Sequence, residues 1–374
     1  MSRRDKTRGT RVRYAVVGAG HIAQKAVLPA FAGARRNSEL VALISSDPEK
    51  RQTLGRLYGL EHVGDYGEFE KVVAAAEADA VYVATPNTVH REYTERAARV
   101  GLHVLCEKPL APSAAECRAM IESVSRAGVK LMVAYRLHFE EASLNAVRIV
   151  RSGKLGRPLL LDAMLTRQAS GGDSRTRADL GGGALRDVGI YCVNAARYLF
   201  GAEPTEVFGQ AAIDPDPRFR GGVDATTVAL LRFPGGGIAF IGSSQAAAPV
   251  SSFRLVGEKG ILEVGDAFSY AGERKQRLTL DGRTRERTFP RANQFGAELV
   301  YFSRCILEDR EPEPGGLEGL ADVRVMEAIL ESASARAPVT LGTMPKLSGP
   351  TPDQRIVLPP IGRTPGVGAP SPKR

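Results

Sequence analysis

The stretch GGGALRDVGIYCVN at residues 181–194 carries two side chains that can exchange protons. Asp187 and Tyr191 are four residues apart, so a helix would place them on one face. Apolar residues recur on the opposite face at the helical period. The pattern also fits an amphipathic helix whose polar face meets water. Whether this carboxylate and this phenol do chemistry therefore depends on what other motifs bring to them.

The run GAGHIA at residues 18–23 has the spacing of a phosphate-binding turn, and it lies between a predicted strand and a helical pattern. In such a turn the first glycine permits the tight bend and the second lets the backbone approach a pyrophosphate. The small third residue lets helix and strand pack closely, and free N–H groups at the helix start bind the phosphates. We therefore predict a dinucleotide site with contacts from Gly18, Gly20, His21 and Ile22.

The end of the second predicted strand indicates which dinucleotide binds. Ser45 and Ser46 supply hydroxyl groups there, and Lys50 or Arg51 supplies a cation, which favours the 2′-phosphate of NADP. Asp47 keeps NAD possible, because an acidic residue in this region binds ribose hydroxyls. The same residues also fit an ordinary turn that caps a helix. We predict NADP as the cofactor, with NAD as the alternative.

Two further stretches, ATPN at residues 84–87 and CEKP at residues 106–109, follow two more predicted strands. Open α/β sheets bind ligands beyond the carboxyl ends of their strands, so both stretches should lie beside the reactive ring of the cofactor. Lys108 is the main candidate, although a lysine before a proline also fits a solvated turn. His90 could seat the nicotinamide or serve a structural role at a helix start. The predicted cofactor contacts are Thr85, Pro86, Asn87, His90, Glu107 and Lys108.

The order of predicted elements divides the chain into four parts. We expect residues 1–10 to be a basic flexible tail, and residues 11–133 alternate predicted strands with helical patterns, which predicts a parallel Rossmann sheet. Residues 134–342 predict an α+β domain with a large, mostly antiparallel open sheet and a closing helix at residues 317–333. Residues 343–374 are rich in proline and glycine and predict a tail that is disordered or draped over a surface.

The composition is that of an ordinary globular protein, with 43% apolar and 25% charged residues among 374. No run reaches the ~20 apolar residues that a membrane helix needs, and we expect a cytoplasmic protein. The four cysteines are widely spaced in apolar patterns, so we expect buried free thiols and no metal site. The net charge of +9 is not gathered on one helix, which argues against a nucleic-acid partner. Its basic stretch at residues 274–287 fits solvated surface.

The motifs GAGHIA, ATPN with a histidine three residues later, CEKP and GGGALRDVGIY occur in a familiar order and spacing. The chain thereby resembles the family of glucose–fructose oxidoreductase, inositol dehydrogenase and their relatives, from residue 11 to residue 341. The segment AYRLHF at residues 134–139 and the run NQF at residues 293–295 resemble the glucose–fructose oxidoreductase branch in particular. The combination is specific for the family and leaves the substrate open.

By this resemblance Lys108, Asp187 and Tyr191 are the catalytic residues. Most relatives carry histidine at the acid–base position, whereas the glucose–fructose oxidoreductases and the NADP-linked dihydrodiol and xylose dehydrogenases carry tyrosine. A free phenol has a pKa of about 10, and a nearby ammonium, here that of Lys108, favours its charged form. Asp187 would bind a substrate hydroxyl and balance the lysine. Weaker candidates for contact with the substrate are Arg136, His138 and Asn194.

The resemblance implies an NADP-preferring oxidoreductase that moves a hydride between nicotinamide and a sugar or another polyhydroxylated substrate. Two alternatives remain open at this point. One is an NAD-linked sugar or polyol dehydrogenase that exchanges its cofactor freely, and the other is a non-catalytic, cofactor-binding regulator. Relatives associate through the sheet of the second domain, so we expect a homodimer or homotetramer.

Overall fold

The first half of the chain forms the predicted parallel sheet, which has six strands in the order β3-β2-β1-β4-β5-β6. The computed structural model describes residues 10–170, 174–270, 272–344, 349–351, 354–362 and 366–368. Because the strand order reverses between β1 and β4, a crevice opens there at the carboxyl edge of the sheet. The strands are Val12–Val17 (β1), Ser38–Ile44 (β2), His62–Gly64 (β3), Ala80–Val83 (β4), His103–Glu107 (β5) and Leu131–Ala134 (β6).

Helices cover both faces of this sheet, and each face has its own buried apolar cluster. Pro29 does not end the first helix, because the backbone stays helical from the π-helical turn into α1, where Pro29 is the second residue. A π-helical turn at Ala23–Val27 precedes it. The helices are Leu28–Ala34 (α1), Pro48–Tyr58 (α2), Phe69–Ala75 (α3), His90–Arg99 (α4) and Ala114–Ala127 (α5).

The second half builds a sheet of nine strands in the order β14-β13-β12-β11-β7-β10-β9-β8-β15. In the described chain β7 and β10 pair in parallel and the other neighbours pair antiparallel, which confirms the predicted mostly antiparallel sheet. The strands are Pro158–Gln168 (β7), Glu206–Ala212 (β8), Thr226–Arg232 (β9), Ile238–Ser244 (β10), Ala246–Gly257 (β11), Gly260–Gly265 (β12), Arg274–Leu280 (β13), Arg283–Phe289 (β14) and Val339–Thr340 (β15).

The basic stretch at residues 274–287 forms the outer hairpin of this sheet. Arg274 is only 1% exposed, so the expectation of solvated surface is wrong for this residue. Burial lowers the pKa of its guanidinium, against the opposing effect of Glu140. The exposed side chains of β14 do match the expectation.

The helices of the second half are Glu141–Arg151 (α6), Ile190–Phe200 (α7), Gln294–Leu307 (α8) and Gly316–Ala335 (α9). Helix α9 contains the predicted closing helix and packs on β8 and α5. Helix α8 returns to the first sheet and packs on α1. There the Ser303 hydroxyl forms hydrogen bonds of 2.8 Å with the hydroxyls of both Tyr14 and Ser38. A helix from the second half thus completes the core of the first.

All four cysteines are buried and free, as predicted. Within the described ranges, no helix has both the length and the apolar character needed to cross a bilayer. The described residues after 348 lie against the body of the protein, the draped arrangement that the composition allowed.

Candidate active site

The glycine-rich turn after β1 lies in the crevice between β1 and β4. Gly18 has a φ of +104°, and a Cβ there would stand 2.5 Å from the carbonyl oxygen of Ala84, so only glycine fits. A Cβ on Gly20 would meet no atom within 4 Å, so the turn faces open space at this position. His21 and Ile22 are half-buried at the helix start. This open turn at a helix start fits a pyrophosphate.

Buried polar atoms line the same edge. Thr85 Oγ1 and Asn87 Oδ1 are buried and have no hydrogen-bond partner within the described chain. Asn87 Nδ2 donates to the carbonyl of Gly181 at 2.9 Å, so this loop joins the two halves, with half-buried Pro86 beside it. Because buried polar atoms nearly always have partners, these two oxygens fit the polar groups of a bound dinucleotide.

The tip of β2 presents two hydroxyls and a cation. Ser45 is buried there and Ser46 is exposed. Asp47 is the N-cap of α2 and accepts a hydrogen bond from the backbone N–H of Lys50 at 3.1 Å. Its second oxygen lies 3.2 Å from Lys50 Nζ. The carboxylate therefore already has partners, and the helix-capping interpretation of this turn holds beside the cofactor interpretation.

His90 joins the two loops at the edge of the sheet. Its Nε2 lies 3.0 Å from the carbonyl oxygen of Thr85, and its Nδ1 lies 3.0 Å from that of Pro109. Burial lowers the pKa of the imidazole, which favours the neutral ring with a single N–H donor. The structure thus places His90 behind the two loops that carry Asn87 and Lys108, an arrangement that fits the structural alternative and leaves the cofactor contact a prediction.

Lys108 and Tyr191 come from different halves of the chain and are in direct contact. The Lys108 ammonium lies 4.7 Å from the centroid of the Tyr191 ring and donates to the carbonyl oxygen of Asp187 at 2.7 Å. Arg136 also lies 4.7 Å from the centroid, and its Nε donates to the Tyr191 hydroxyl at 3.2 Å. Two cations therefore face one phenol, just beyond the ends of β5 and β6.

Arg136 is buried, and its other nitrogens are occupied by protein groups. Nη1 donates to Gln294 Oε1 at 2.6 Å, and Nη2 donates to the carbonyl of Phe268 at 2.5 Å. The guanidinium also lies 5.5 Å from the ring centroid of Tyr270. The structure therefore places Arg136 against the acid–base candidate, where the sequence predicted contact with the substrate.

Asp187 is bound by groups that the sequence did not single out. Its Oδ2 accepts hydrogen bonds from Arg167 and from Gln245 Nε2, the latter at 2.8 Å, and its Oδ1 lies 3.6 Å from Lys108 Nζ. Burial alone would raise the pKa of this carboxyl, but the cations of Arg167, Lys108 and Arg175 outweigh burial and hold it well below its usual range. Asp187 is thus an anion that balances the lysine, with Oδ1 directed toward it.

Arg167 and Gln245 could not be found from the sequence because they meet through strand pairing. The two residues directly follow Thr166 and Ser244, which are partners in the parallel pairing of β7 and β10. β7 and β10 lie side by side in the sheet although about seventy residues separate them in the chain. The sequence of either strand carries no local pattern that reveals how the two are aligned.

Two carboxyls lie buried behind this cluster. Glu107 Oε1 accepts from the hydroxyl of Tyr82 at 3.0 Å, and burial raises the pKa of Glu107 despite the nearby Lys108. Glu298 on α8 is fully buried with no hydrogen-bond partner in the described chain. Burial, reinforced by Glu107, raises the pKa of Glu298 well above its usual range.

His138 and Asn194 belong to a separate buried network. His138 Nε2 lies 2.8 Å from Asn194 Oδ1, and its Nδ1 lies 3.1 Å from Glu313 Oε1. Asn194 Nδ2 in turn donates to Glu318 and Asp322 at 3.0 and 2.9 Å. These partners occupy both side chains, which have 0% and 3% of their surface exposed. The structure does not bring them into contact with Lys108 or Tyr191.

The face of α7 that carries Tyr191 is therefore not a solvated face. Asn194 and Tyr198 on it are as buried as the apolar side, and Asp187 stands on a π-helical turn at Leu185–Gly189. The three glycines ahead of this turn approach protein groups closely. A Cβ on Gly181 would overlap the side chain of Asn87, and one on Gly183 would lie 2.2 Å from Asp224 Oδ1. Close packing on Asn87 of the first half is thus one reason for Gly181, and close packing on Asp224 within the second half is one reason for Gly183.

A cavity of about 430 Å³ lies elsewhere, at the carboxyl end of α7, and contains neither Lys108 nor Tyr191. It is lined by side chains of the Arg197 ion-pair network. In the described part of the chain, no three His, Cys, Asp or Glu side chains are grouped as metal ligands. We therefore place the candidate site by its chemistry, at the contact of Lys108 and Tyr191.

Comparison with known proteins gives a consistent assignment. The model of an oxidoreductase family with an NAD-binding Rossmann fold matches residues 12–135, and that of the GFO/IDH/MocA C-terminal domain matches residues 144–263. A D-xylose 1-dehydrogenase [NADP(+)] from Haloarcula marismortui is 32% identical over 88% of this chain and 93% of its own length.

Two solved structures are also similar. An aldose-aldose oxidoreductase from Caulobacter crescentus, complexed with glycerol, is 39% identical with a TM-score of 0.84, over 88% of this chain and 100% of its own. A 3-ketoreductase mutant from Actinomadura kijaniata, in complex with TDP-benzene and NADP, is 25% identical with a TM-score of 0.79, over 86% and 98%. Together with the fold and the site, these similarities establish that the chain is an NAD(P)-dependent oxidoreductase of the GFO/IDH/MocA family.

Proposed function

We propose that this protein transfers a hydride between NADP and a carbon of a sugar or similar polyhydroxylated substrate, with Tyr191 as the proton donor and acceptor. The observation that carries the proposal is the contact of Lys108 and Arg136 with the Tyr191 ring beyond the strand ends. Both cations stabilise the negative charge that forms on the phenol oxygen when its proton leaves. A buried tyrosine with only apolar neighbours would lack this support.

The cofactor fits the turn and the edge described above. Gly18, Gly20 and the helix start would hold its pyrophosphate, and Thr85 and Asn87 would bind polar groups nearer the nicotinamide. When bound, the cofactor supplies or takes up the hydride and leaves the hydroxyl proton to the protein. The two serines at the tip of β2 together with Lys50 support NADP, because a 2′-phosphate needs hydroxyl and cationic partners.

The proton step is assigned from the hydrogen bonds of the phenol. Arg136 Nε donates to the Tyr191 oxygen, so the O–H of Tyr191 is free to donate to another oxygen. Lys108, which lies beside the Tyr191 ring, and Asp187, 3.6 Å from the ammonium of Lys108, would orient a substrate hydroxyl toward that oxygen. In the reductive direction the Tyr191 phenol gives its proton to the new hydroxyl and becomes the phenolate, and in the oxidative direction that phenolate takes up the hydroxyl proton.

The substrate class is supported by the named relatives, since the similar xylose dehydrogenase and aldose-aldose oxidoreductase act on sugars.

The test of the proposed function is to purify the protein, record the absorbance of any bound nicotinamide cofactor, and measure turnover of aldoses and polyols with NADP and with NAD. Binding of cofactor without turnover of any substrate would favour the regulator, and faster turnover with NAD would favour the NAD-linked dehydrogenase.

The role of the phenol is tested separately with Tyr191→Phe. We expect kcat to fall by about 10²–10⁴-fold, the usual contribution of a positioned acid–base group. Tyr66→Phe is the matched control, because the Tyr66 ring packs on Tyr93 of α4, whereas Lys108 and Arg136 face the Tyr191 ring. Wild-type turnover of Tyr191→Phe at neutral pH would contradict the assignment.

Self-association through the second sheet belongs to the same proposal. Phe208, Leu230 and Phe240 are cross-strand neighbours, as are Ile238 and Leu160, and most of these side chains are substantially exposed. Such an apolar patch on an open sheet is a typical subunit interface. Leu230→Asp should lower the mass measured by light scattering, whereas a wild-type protein that is monomeric would contradict this part.

A further inference from the structure

The tail residues 349–351, 354–362 and 366–368, which we call the C-terminal strap, cross from the second half onto the first. Near its start Gln354 is fully buried and donates from Nε2 to the carbonyl of Glu313 at 2.9 Å. Farther along, the carbonyl of Leu358 accepts from the Asn293 N–H at 3.0 Å, at the start of α8. The strap therefore follows α8 toward the glycine-rich turn.

The far end of the strap binds the residue that also holds this turn. Gln24 Nε2 donates to the carbonyl of Val367 at 2.9 Å, and the Val367 N–H donates to Gln24 Oε1 at 2.8 Å. The same Nε2 donates at 2.8 Å to the carbonyl of Ala19, between the two glycines of the turn. Gln24 is 1% exposed. A single buried amide thus links the strap to the backbone expected to hold the pyrophosphate.

Two glycines let the strap pass close to two lysines. A Cβ on Gly366 would lie 2.6 Å from Lys25 Nζ, and one on Gly368 would lie 3.3 Å from Lys50 Cε. Lys50 stands beside the tip of β2, where Rossmann proteins bind the ribose of the adenosine. The described strap therefore ends between the pyrophosphate turn and the adenosine end of the cofactor site.

We propose that the C-terminal strap is a cofactor-retention element that closes the adenosine end of the site and slows the release of NADP. Release then requires the paired hydrogen bonds between Gln24 and Val367 to open. Residues that come from the opposite end of the chain become part of the cofactor site. This inference rests on the cofactor half of the proposed function and is independent of the sugar.

A chain that ends at residue 363 tests the proposal, because it keeps the contacts of Gln354 and Leu358 and removes Val367. Val367→Pro removes the N–H that donates to Gln24 and keeps the Val367 carbonyl position, with φ fixed by the ring, and Val367→Ala keeps the N–H as the control. The measurement is the dissociation rate of NADPH, followed by its fluorescence after addition of excess NADP. We expect release about tenfold faster in the shortened chain and in Val367→Pro, and wild-type release in Val367→Ala.

Two cofactor fragments locate the effect. Adenosine 2′,5′-bisphosphate should bind more weakly to the shortened chain, whereas nicotinamide mononucleotide should bind as it does to the full chain. Equal NADPH release from the full and shortened chains would overturn the proposal, and so would equal weakening of both fragments. Thermal unfolding without cofactor verifies that the variants are folded. Since no measurement uses a sugar, a failure of sugar turnover does not affect these results.

Discussion

The Nε of Arg136 donates to the hydroxyl of Tyr191 at 3.2 Å, and this hydrogen bond joins the turn that follows β6 to helix α7. Arg136 follows β6 of the first sheet, while Tyr191 stands in the first turn of α7. The orientation of the phenol is therefore set before any substrate arrives. Proton transfer depends on such preorganised geometry, because a misplaced donor loses most of its effect.

Arg136→Lys should lower kcat about tenfold or more with a smaller change in KM, since a lysine keeps the charge but cannot reach Gln294, Phe268 and Tyr191 with one planar group. Steady-state kinetics with the preferred sugar measures the effect. Arg254→Lys, at an exposed ion pair with Asp162, is the control. Wild-type kcat in Arg136→Lys would show that Arg136 does not position the phenol.

Gly18→Ala and Gly20→Ala should fail in different ways. The new methyl at position 18 would stand 2.5 Å from the Ala84 carbonyl at a φ that alanine avoids, so we expect a lower unfolding temperature without cofactor. The methyl at position 20 meets no protein atom within 4 Å, so that variant should fold normally and bind NADPH at least ~10-fold more weakly. Normal NADPH binding by Gly20→Ala would argue against a pyrophosphate at this turn.

Asp187→Asn should reduce the free energy of unfolding by roughly 3 kcal/mol at neutral pH, because Arg167 and Lys108 lose the carboxylate between them. The pKa of Asp187 is lowered in the folded protein, so its stabilisation is present above the unfolded pKa of about 3.9 and is lost as pH falls through the lower folded pKa. Urea unfolding at pH 7 and pH 3 measures this difference.

The matched control for that variant is Asp162→Asn. The Asp162 side chain is 46% exposed in a surface ion pair with Arg254, so this substitution should reduce the free energy of unfolding by less than about 0.5 kcal/mol. The electrostatic role of Asp187 would be contradicted if Asp187→Asn reduced the free energy of unfolding by a similarly small amount. It would also be contradicted if the reduction were as large at pH 3 as at pH 7.

The contact of His138 with Glu313 predicts that stability changes with pH in the direction opposite to that expected for Asp187. Burial alone would lower the pKa of the imidazole, but Glu313 outweighs burial and raises it. The stabilisation is therefore fully present below the unfolded pKa of about 6.5 and is lost as pH rises through the higher folded pKa. The difference in unfolding free energy between wild type and His138→Gln should narrow above pH ~6.5. A difference that stays constant from pH 5 to pH 9 would refute the charged pair.

The parts of the fold that were predictable are those whose signals are local. The strand and helix alternation predicted the parallel sheet, and the glycine spacing predicted the turn at Gly18. The motif CEKP predicted that Lys108 lies at the functional edge, because the carboxyl ends of parallel strands share one side. The contact of Lys108 with Tyr191 followed from family resemblance rather than from either segment by itself.

The parts that were missed depend on long-range pairing. Arg167 and Gln245 reach Asp187 through the register of β7 and β10, and Arg136 reaches Tyr191 because the turn after β6 lies against α7, 55 residues later in the chain. His138 and Asn194 have polar side chains in a conspicuous motif, yet buried carboxylates from α9 and the segment before it occupy them. Polarity in a sequence does not distinguish a ligand contact from a buried network.

The placement of α8 limits how this protein can be divided. Its Ser303 is bound to Tyr14 and Ser38, and its apolar side chains complete the cluster on one face of the first sheet. A fragment cut after residue 134 would leave that cluster open to water and prone to aggregate. Recombination between homologous genes that exchanged only the nucleotide-binding segment would disturb the same cluster. Residues 294–307 must therefore be inherited together with that segment.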